Sequence, residues 1–567
     1  MIADSSPVQT GHIRTDFISF PSRNGLKIAA CLDHTGDLSG RPWIVVAPKY
    51  GETKKNNLQL AYYLAANGLN VLRFDHTNHV GESAGNQIHF TLASGAVDIA
   101  SCGDYLQKTH AAGQYTLLAN SLSARTAIRA TAQDARIAHL VCLVGVVNVG
   151  YTLHQVYRED LVGGYLGGKR WGVTDILGVE IDFDGFLSSA VKDQMHDLPS
   201  TRMDLAVIKA AISFFPAERD AWVSLDEVQE LLRGRPGANC YPIPGAMHEL
   251  RENPAVAQQA FNDIVAVCAA HVRGIPPGGI TLVIPDKKLL MQQNRAERDR
   301  LRDSVKNPDD ERDFWANYLK KYRTVQNIED YQKYIALVGQ LLGEIKPGEI
   351  VLDAGCGNGL FGLWVLRTLL QNARLVEQPP VYVAVDLTVE GLRDAMALHV
   401  GYGLDHTRQT AHMARDGLGL MFGHIDLDTW GMPGSEVMDQ LAFADHTFDK
   451  VCLSLVLSYL NRPECVLREI HRVLRPGGKL VVSSMKPFCD MSEIYRDYMD
   501  QQVTATELEA GRDLLRAAGK IRLKEEQGFY SFYSQEDLTS LLEGAGFRHC
   551  FAQQSFGGQA AVVVAEK

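Results

Sequence analysis

The chain contains two separate series in which short apolar runs alternate with stretches of helical length. The first series extends from about Pro42 to Ala270, and the second begins near Glu349. Strands that alternate with helices predict largely parallel sheets with helices on both faces. At 567 residues the chain is also too long for one hydrophobic core. The pattern therefore predicts two α/β domains, each with its own sheet.

The junction between the two series is rich in proline, glycine and charge. The segment Arg273–Gly279 reads RGIPPGG, and a dense run of mixed charges follows it. Such composition is typical of a surface connection, which we place between Pro276 and Asp310. The predicted division assigns residues 1–300 to the first domain and residues 301–567 to the second.

In the first series an apolar strand runs directly into a small-residue turn and then a helix, TLLANSLSARTA. Ala119 and Ser123 stand two residues before and two residues after Ser121, where bulky side chains would collide with the helix and the neighbouring strand. This pattern is typical of a nucleophile elbow with Ser121 as the nucleophile. Ser123 fits the pattern poorly because Arg125 occupies its later position. Taken alone, such a serine more often caps a helix.

Two further residues follow Ser121 in the order that a catalytic triad on such a sheet requires. Asp220 comes just past an apolar strand in AAISFFPAERDAWV, and His248 comes just past the next strand in CYPIPGAMHEL. The imidazole of His248 would take the proton of Ser121, while Asp220 would hold the tautomer and stabilise the imidazolium. The ordered combination favours catalysis over a capping role.

An oxyanion hole needs two backbone N–H groups that point at the developing negative charge. Leu122 follows the nucleophile and is predicted to supply the first. The second is expected from the turn after WIVVA, where Pro48 has no N–H, so we choose Tyr50. His76 and His79, in RFDHTNHVGES, are expected to shape the rim of the site without a catalytic role.

The segment from Ile18 to about Arg300 resembles the acyl transferases of bacterial bioluminescence, which are myristoyl-acyl-carrier-protein thioesterases. The resemblance rests on the elbow ANSLSAR in place of GxSxG, and on RFDHTNHVGESAG, VGVVNV, RDAWV and GAMHEL. It implies an α/β-hydrolase fold with a cap and an acyl-enzyme on Ser121. The sequence departs from the family at Lys49, where the family tends to have glycine. Residues 151–199 occupy the cap position and are apolar enough to cover an acyl chain.

The second series opens with VLDAGCGNG, a strand that ends in Asp353 and leads into glycines at alternate positions before a helix. Glycines there allow the backbone to approach a ligand closely at the helix N-terminus. A glycine-rich turn alone would also suit a nicotinamide-binding or a non-catalytic Rossmann-like domain. The predicted cofactor-binding residues in this turn are Asp353, Gly355, Cys356, Gly357 and Gly359.

The DxGxGxG pattern resembles the first motif of class I S-adenosylmethionine-dependent methyltransferases, which have a Rossmann-like fold. VYVAVD matches the second strand, and its Asp386 and Leu387 are expected at the ribose of S-adenosylmethionine. GHIDLD matches the adenine-binding position through Asp426 and Leu427. The segments LAFADHTFDKVCLSLVLSYL and IHRVLRPGGKLVVSSM complete the family order. The insertion QNARLVEQPP before the second strand is expected to be a loop.

The methyl acceptor is less well defined by the sequence than the cofactor. No residue stands out as a general base, and His424, Tyr459 and His471 are candidates by residue type only. An acceptor carboxylate is already ionised at neutral pH and would need no base. Acceptor specificity is expected in residues 314–342 and 488–533. The segment FYSFYS at 529–534 suggests a packed strand more than a binding edge.

Charge and cysteine usage limit the partners of both domains. The net charge of −11 disfavours general attraction to nucleic acid, and no apolar segment is long enough to span a bilayer. Ten cysteines without a CxxC pair or a Cys/His cluster indicate reduced thiols, a cytoplasmic protein and no metal site. We therefore expect an acyl-carrier-protein or other acyl-thioester substrate and a small-molecule or carrier-bound methyl acceptor.

These observations together predict a bifunctional enzyme of fatty-acid-like or polyketide-like metabolism. The first domain would release or transfer an acyl group from a thioester, and the second would methylate the same intermediate or a related one. One alternative is that the second domain forms a carboxylate methyl ester on an acyl-carrier substrate and the first removes it. Another is that one domain is a non-catalytic docking module for a carrier protein.

Overall fold

The computed structural model describes residues 13–36, 38–304, 311–371, 379–409, 419–428, 441–502 and 504–567. The chain divides into two compact units, one of Met1–Lys306 with Ala518–Gly528 and one of Asn307–Ala517 with Phe529–Lys567. The segment Ala518–Gly528 therefore differs from the predicted division, which assigned it to the second domain. Its assignment depends on contacts with distant residues, and local sequence patterns do not report such contacts.

The first unit is built on an eight-stranded sheet in the order β1-β2-β4-β3-β5-β6-β9-β10. The pairs β1–β2 and β2–β4 are antiparallel, and the other pairs are parallel. The strands of this unit are β1 Arg14–Pro21, β2 Lys27–His34, β3 Trp43–Ala47, β4 Asn70–Phe74, β5 Tyr115–Asn120, β6 Ile137–Leu143, β7 Val173–Ile176, β8 Val179–Asp182, β9 Ala211–Phe215 and β10 Ala238–Cys240.

Helices cover this sheet, and some of them form an insertion between β6 and β9. The helices are α1 Leu58–Ala66, α2 Leu92–His110, α3 Leu122–Gln133, α4 Val149–Tyr157, α5 Leu161–Leu166, α6 Phe183–Lys192, α7 Leu198–Val207, α8 Leu225–Leu232, α9 Pro254–Arg273 and α10 Lys287–Ser304. The helices α4 to α7 and the hairpin β7–β8 lie at the predicted cap position. The strands β3, β4 and β5 are buried throughout, as central strands covered on both faces must be.

The second unit is built on a seven-stranded sheet in the order β13-β12-β11-β14-β15-β17-β16. Its first five strands are parallel, and β17 runs antiparallel to both β15 and β16. The strands are β11 Ile350–Ala354, β12 Val381–Asp386, β13 Gly419–His424, β14 Phe448–Leu453, β15 Leu474–Met485, β16 Arg548–Ser555 and β17 Ala560–Glu566. Both predicted α/β folds are confirmed.

The helices of the second unit lie on both faces of its sheet. They are α11 Glu311–Tyr322, α12 Glu329–Leu342, α13 Leu360–Gln371, α14 Val389–Gln409, α15 Pro463–Val473, α16 Ser492–Asp500, α17 Ala505–Glu526 and α18 Gln535–Gly544. The last residues of α17 belong to the first unit. Most of the insertion QNARLVEQPP, which we predicted to be a loop, lies outside the described residues.

Candidate functional sites

Ser121 lies at a sharp turn between β5 and α3. Its backbone has φ 51° and ψ −124°, a conformation that costs a non-glycine residue on the order of 1–3 kcal/mol. The turn is held because the Ser121 N–H donates to the carbonyl of Leu143 at 3.0 Å, and the Ser121 carbonyl accepts from the N–H of Val146 at 2.9 Å. A Cβ at Gly145 would lie 2.7 Å from the Cβ of Ala124, so small residues are required around this turn.

The structure brings Ser121, His248 and Asp220 into one hydrogen-bonded row. The Oγ of Ser121 lies 2.9 Å from Nε2 of His248, and Nδ1 of His248 lies 2.8 Å from Oδ2 of Asp220. The other carboxylate oxygen of Asp220 accepts the N–H groups of Trp222 and Val223 at 2.9 and 3.0 Å. These bonds leave Asp220 oriented toward the imidazole. The row has the geometry that proton transfer from a serine nucleophile requires.

The two predicted oxyanion donors are Leu122, which directly follows Ser121, and Tyr50, which precedes it in the sequence. Leu122 is the first residue of α3, and Tyr50 lies in the turn after β3. No described residue accepts a hydrogen bond from either N–H group. The neighbouring N–H of Gly51 is already donated to Nε2 of His79 at 2.9 Å. The N–H of Gly51 therefore cannot serve as an oxyanion donor in this arrangement. The roles of Leu122 and Tyr50 as donors stay predictions.

His79 and His76 lie in the interior, and the expectation that they shape the rim of the site is wrong. They are 7% and 1% exposed. Burial, with a smaller effect of His76, lowers the pKa of His79 to about 3, so its ring is neutral and can accept the Gly51 N–H. The ring also stacks on Phe90 at 4.5 Å. His79 therefore holds the turn after β3 in place.

A second buried Asp–His–Ser row lies beside the first, and sequence reasoning missed it. Nδ1 of His76 lies 3.4 Å from Asp98, and Nε2 of His76 lies 3.2 Å from Oγ of Ser123. Ser123 donates to the carbonyl of Pro48 at 2.5 Å. Pro48 lies directly before the predicted oxyanion turn. The hydrogen bond from Ser123 therefore helps to hold the start of that turn in place. The adjacency of His76 to the strand end of β4 was the only signal in the sequence.

Lys49, the position at which the sequence departs from the acyl transferase pattern, forms ion pairs in the interior. Its Nζ lies 2.5 Å from Glu249 and 3.7 Å from Glu52. Burial raises the pKa of Glu249, but Arg251, Lys49 and Arg522 outweigh it and hold that pKa well below the ordinary value. Both carboxylates are therefore ionised at neutral pH. Lys49 links the turn after β3 to the turn that carries His248.

In the second unit, the predicted cofactor residues gather at the carboxyl ends of three adjacent strands. Asp353 lies near the end of β11 and Gly355 to Gly359 follow that strand, Asp386 ends β12 and Leu387 follows it, and Asp426 and Leu427 follow β13. In open α/β sheets, ligands bind at this edge. Residues that are far apart in the sequence therefore lie along one edge of the sheet.

The glycines of the turn after β11 adopt conformations that other residues avoid. Gly355, Gly357 and Gly359 have φ values of 83°, 53° and 84°. A Cβ at Gly355 would lie 2.4 Å from the side chain of Val456. The side-chain nitrogen of Asn358 is buried and has no hydrogen-bond partner among the described residues. The unsatisfied donor in this turn fits a polar ligand such as S-adenosylmethionine.

The carboxylate of Asp386 is held against this turn by hydrogen bonds from neighbouring residues. One carboxylate oxygen accepts the N–H of Gly357 at 2.7 Å, and the other accepts the N–H and the hydroxyl of Thr388 at 2.8 and 2.7 Å. The carbonyl of Leu387 accepts from His424 at 2.8 Å. Asp386 therefore fixes the turn and retains lone pairs that can accept further hydrogen bonds.

The two residues predicted at the adenine lie after β13. Asp426 accepts the N–H of Asp428 at 2.9 Å, and Leu427 is buried. Cys356 is also buried, and its N–H donates to the carbonyl of Val385 at 2.9 Å. These contacts define the shape of the sheet edge at which the predicted cofactor residues lie.

Asp353 is buried and accepts a hydrogen bond from the hydroxyl of Tyr382. Burial raises the pKa of Asp353 to about 7, although the Tyr382 bond opposes the rise and Asp386 adds to it. The folded state therefore binds this proton more tightly than the unfolded state, whose carboxyl titrates near 3.8. By linkage, the resulting stability is present below the unfolded pKa and is lost as the pH rises through the folded pKa.

We expect Asp353→Asn to remove this pH dependence while keeping an acceptor for Tyr382. Between about pH 5 and pH 8, the free energy of unfolding of the wild type should fall more steeply than that of the variant. Calorimetric unfolding of both proteins across this range measures the difference. Parallel curves would contradict the assignment.

The segment FYSFYS is not a strand, and the packed-strand prediction is wrong. Its backbone bonds are irregular, since the N–H of Ser531 donates to the carbonyl of Ser458 and that of Tyr533 donates to the hydroxyl of Ser484. The hydroxyl of Tyr530 donates to Glu311 at 2.6 Å. The aromatic rings pack with Trp315 and Tyr459 instead of joining the sheet. The prediction failed because alternating aromatic side chains can be buried by packing against other rings, without strand pairing.

Comparison with known proteins identifies both parts of the chain. The triad geometry and the eight-stranded sheet define the first unit as an α/β-hydrolase. Residues 39–284 match the family model described as acyl transferase, and residues 325–549 match the model described as methyltransferase domain. The chain belongs to the acyl transferase family through its N-terminal part, and its C-terminal part is a class I methyltransferase domain. The chain therefore carries two enzyme domains.

Acyl transferases and an esterase are similar to part of this chain. The acyl transferase of Photobacterium phosphoreum is 30% identical over 236 residues, which is 40% of this chain and 74% of that protein. The acyl transferase of Shewanella woodyi is 28% identical over 251 residues, 43% of this chain and 79% of that protein. The structure of ferulic acid bound to Est1E from Butyrivibrio proteoclasticus aligns with a TM-score of 0.39 at 15% identity, over 45% of this chain and 99% of that one.

None of the described helices combines the length and the apolar character that crossing a bilayer requires.

Proposed function

We propose that the first unit cleaves an acyl thioester through an acyl-enzyme on Ser121, and that the second unit methylates a related small or carrier-bound substrate with S-adenosylmethionine. The acyl donor we infer is an acyl carrier protein or a similar thioester, in fatty-acid-like or polyketide-like metabolism. The observation that carries the first half is the hydrogen-bonded row from Ser121 through His248 to Asp220.

In the acylation step, Oγ of Ser121 attacks the thioester carbonyl while Nε2 of His248 takes the hydroxyl proton. The tetrahedral oxyanion is placed against the N–H groups of Leu122 and Tyr50. Collapse breaks the carbon–sulfur bond, and His248 returns the proton to the leaving thiolate. Water or an acceptor hydroxyl then repeats the sequence on the acyl-serine.

In the second unit, the residues described above would hold S-adenosylmethionine, which supplies an electrophilic methyl group when bound. Asp386 would accept the ribose hydroxyls, and the turn Gly355–Gly359 would follow the methionine portion. Asp426 and Leu427 would contact the adenine. Because methyl transfer is a direct displacement, alignment and exclusion of water can supply most of the rate.

The proposal is tested by intact-protein mass spectrometry after incubation with acyl thioesters of carrier protein and of coenzyme A. We expect the wild type to gain the mass of one acyl group, and Ser121→Ala to gain none. Ser213→Ala is the matched control, because Ser213 is also buried and its hydroxyl pairs with His139 rather than with the candidate row. A panel without any adduct on the wild type, or an adduct that persists in Ser121→Ala, would contradict an acyl-serine mechanism.

A further inference from the structure

The last part of α17 belongs to the first unit, although it follows the core strands β11 to β15 of the second unit in sequence. We call residues Ala518–Gly528 the returning segment. At its start, the backbone of Gly519 meets that of Gly178, where a Cβ would lie 2.2 Å from the carbonyl carbon of Gly519. At its end, Gly528 lies against the backbone of Arg298. Such close backbone approach requires glycine, so the segment is fitted to this place.

Polar contacts join the returning segment to the loop after β3. The side-chain nitrogen of Asn56 donates to Glu526 at 2.6 Å. Lys520 lies 3.8 Å from Asp175 in the hairpin β7–β8, which is part of the cap. The segment therefore contacts both the cap and the catalytic side of the sheet.

Arg522 makes the contacts that matter most for the candidate catalytic row. One nitrogen of its guanidinium, Nη2, lies 2.6 Å from Oε1 of Glu52 and 3.1 Å from Oε2 of Glu249. Both carboxylates are nearly inaccessible, at 2% and 3% exposed. Glu52 is two residues after Tyr50, and Glu249 directly follows His248. The guanidinium thus bridges the predicted oxyanion turn and the turn that carries the general base.

Two further cations that pair with these carboxylates come from the N-terminal part of the first unit. Arg251 lies 2.7 Å from each of them, and Lys49 lies 2.5 Å from Glu249. Burial raises the pKa of Glu52, but Arg251 and Lys49 outweigh it and lower the pKa below its ordinary value. The buried carboxylates are therefore charged, and the geometry of the turns depends on where the cations stand.

We infer that Arg522 is a positioning residue for the acyl-transfer reaction, supplied to the acyl transferase unit by sequence that follows the methyltransferase core. This inference rests on the proposed acyl-serine function. Arg522 acts through Glu52 and Glu249, which set the two turns at which the oxyanion and the proton are handled. Misplacement of such groups by a fraction of an ångström reduces the rate without changing binding of the acyl chain.

The test uses the full-length protein and p-nitrophenyl decanoate as an ester probe. For Arg522→Gln we expect kcat to fall about 10-fold, with KM within about 2-fold of the wild-type value. Arg522→Lys should recover most of the rate, because one nitrogen makes both contacts and an ammonium can replace it. The burst of p-nitrophenol reports the fraction of competent sites, and an unchanged burst amplitude separates positioning from loss of folded protein.

Arg516→Gln is the matched control, because Arg516 lies on the same helix and pairs with Glu509 and Asp513 in the second unit. It should leave kcat and KM unchanged. Wild-type rates in Arg522→Gln, equal losses in both glutamine variants, or a fall in burst amplitude that accounts for the whole effect would overturn the inference. Failure of the proposed function itself is distinguishable, since the wild type would then show no Ser121-dependent burst.

Discussion

Replacing His248 with glutamine is expected to reduce acyl-group release by a factor on the order of 10³ or more. Glutamine can occupy the space between Ser121 and Asp220, but it cannot take the serine proton and return it to the leaving group. The hydrogen-bonded row would keep its geometry but could no longer transfer the proton. Steady-state release of p-nitrophenol from an acyl ester measures the loss, with the folded fraction taken from circular dichroism.

His139 offers a matched control for this prediction. It is also buried, and its Nε2 lies 3.0 Å from the hydroxyl of Ser213. His139→Gln therefore removes a buried imidazole next to a serine without touching the candidate site. We expect its rate per folded molecule to match the wild type. A His248→Gln protein that keeps about a tenth of the activity or more would argue against its role as general base.

Replacing Asp386 with alanine is expected to weaken binding of S-adenosylmethionine about 100-fold or more. Hydrogen bonds to a charged group contribute roughly 1.5–3 kcal/mol each, and in the proposed binding mode the ribose presents two hydroxyls to this position. The substitution also removes the acceptor for the N–H of Gly357, so the turn loses its support. Isothermal titration calorimetry of the full-length protein gives the dissociation constant directly.

Asp394→Ala is the control for charge removal in the same unit, since Asp394 is exposed on α14. Its dissociation constant should equal that of the wild type. Acyl-adduct formation on Ser121 should be unchanged in both variants, because the altered residues belong to the other unit. A dissociation constant for Asp386→Ala within about 3-fold of the wild type would exclude a major contact with the cofactor.

The row of Ser121, Asp220 and His248 could be predicted because each residue follows a strand of recognisable composition. Parallel strands bring their carboxyl ends to one edge, so the order along the chain becomes proximity in space. The same reasoning placed Asp353, Asp386 and Asp426 at one edge of the second sheet.

The charge cluster around Glu249 could not be predicted in this way. Lys49 and Glu249 are 200 positions apart, and Arg522 is 273 positions from Glu249. No periodicity relates such residues, because their pairing depends on how loops and a helix end pack. For the same reason, the predicted division did not separate the returning segment from the second domain, and His76 was expected at the rim of the site.

The discontinuity of the first unit has a consequence for biosynthesis. A ribosome releases residues in order, so the eight-stranded sheet can form long before Arg522 leaves the exit tunnel. Until then, Glu52 and Glu249 lack one of their cations, and the nascent acyl transferase is incomplete. We therefore expect the acyl chemistry to reach its full rate only after nearly all of the methyltransferase has been synthesised.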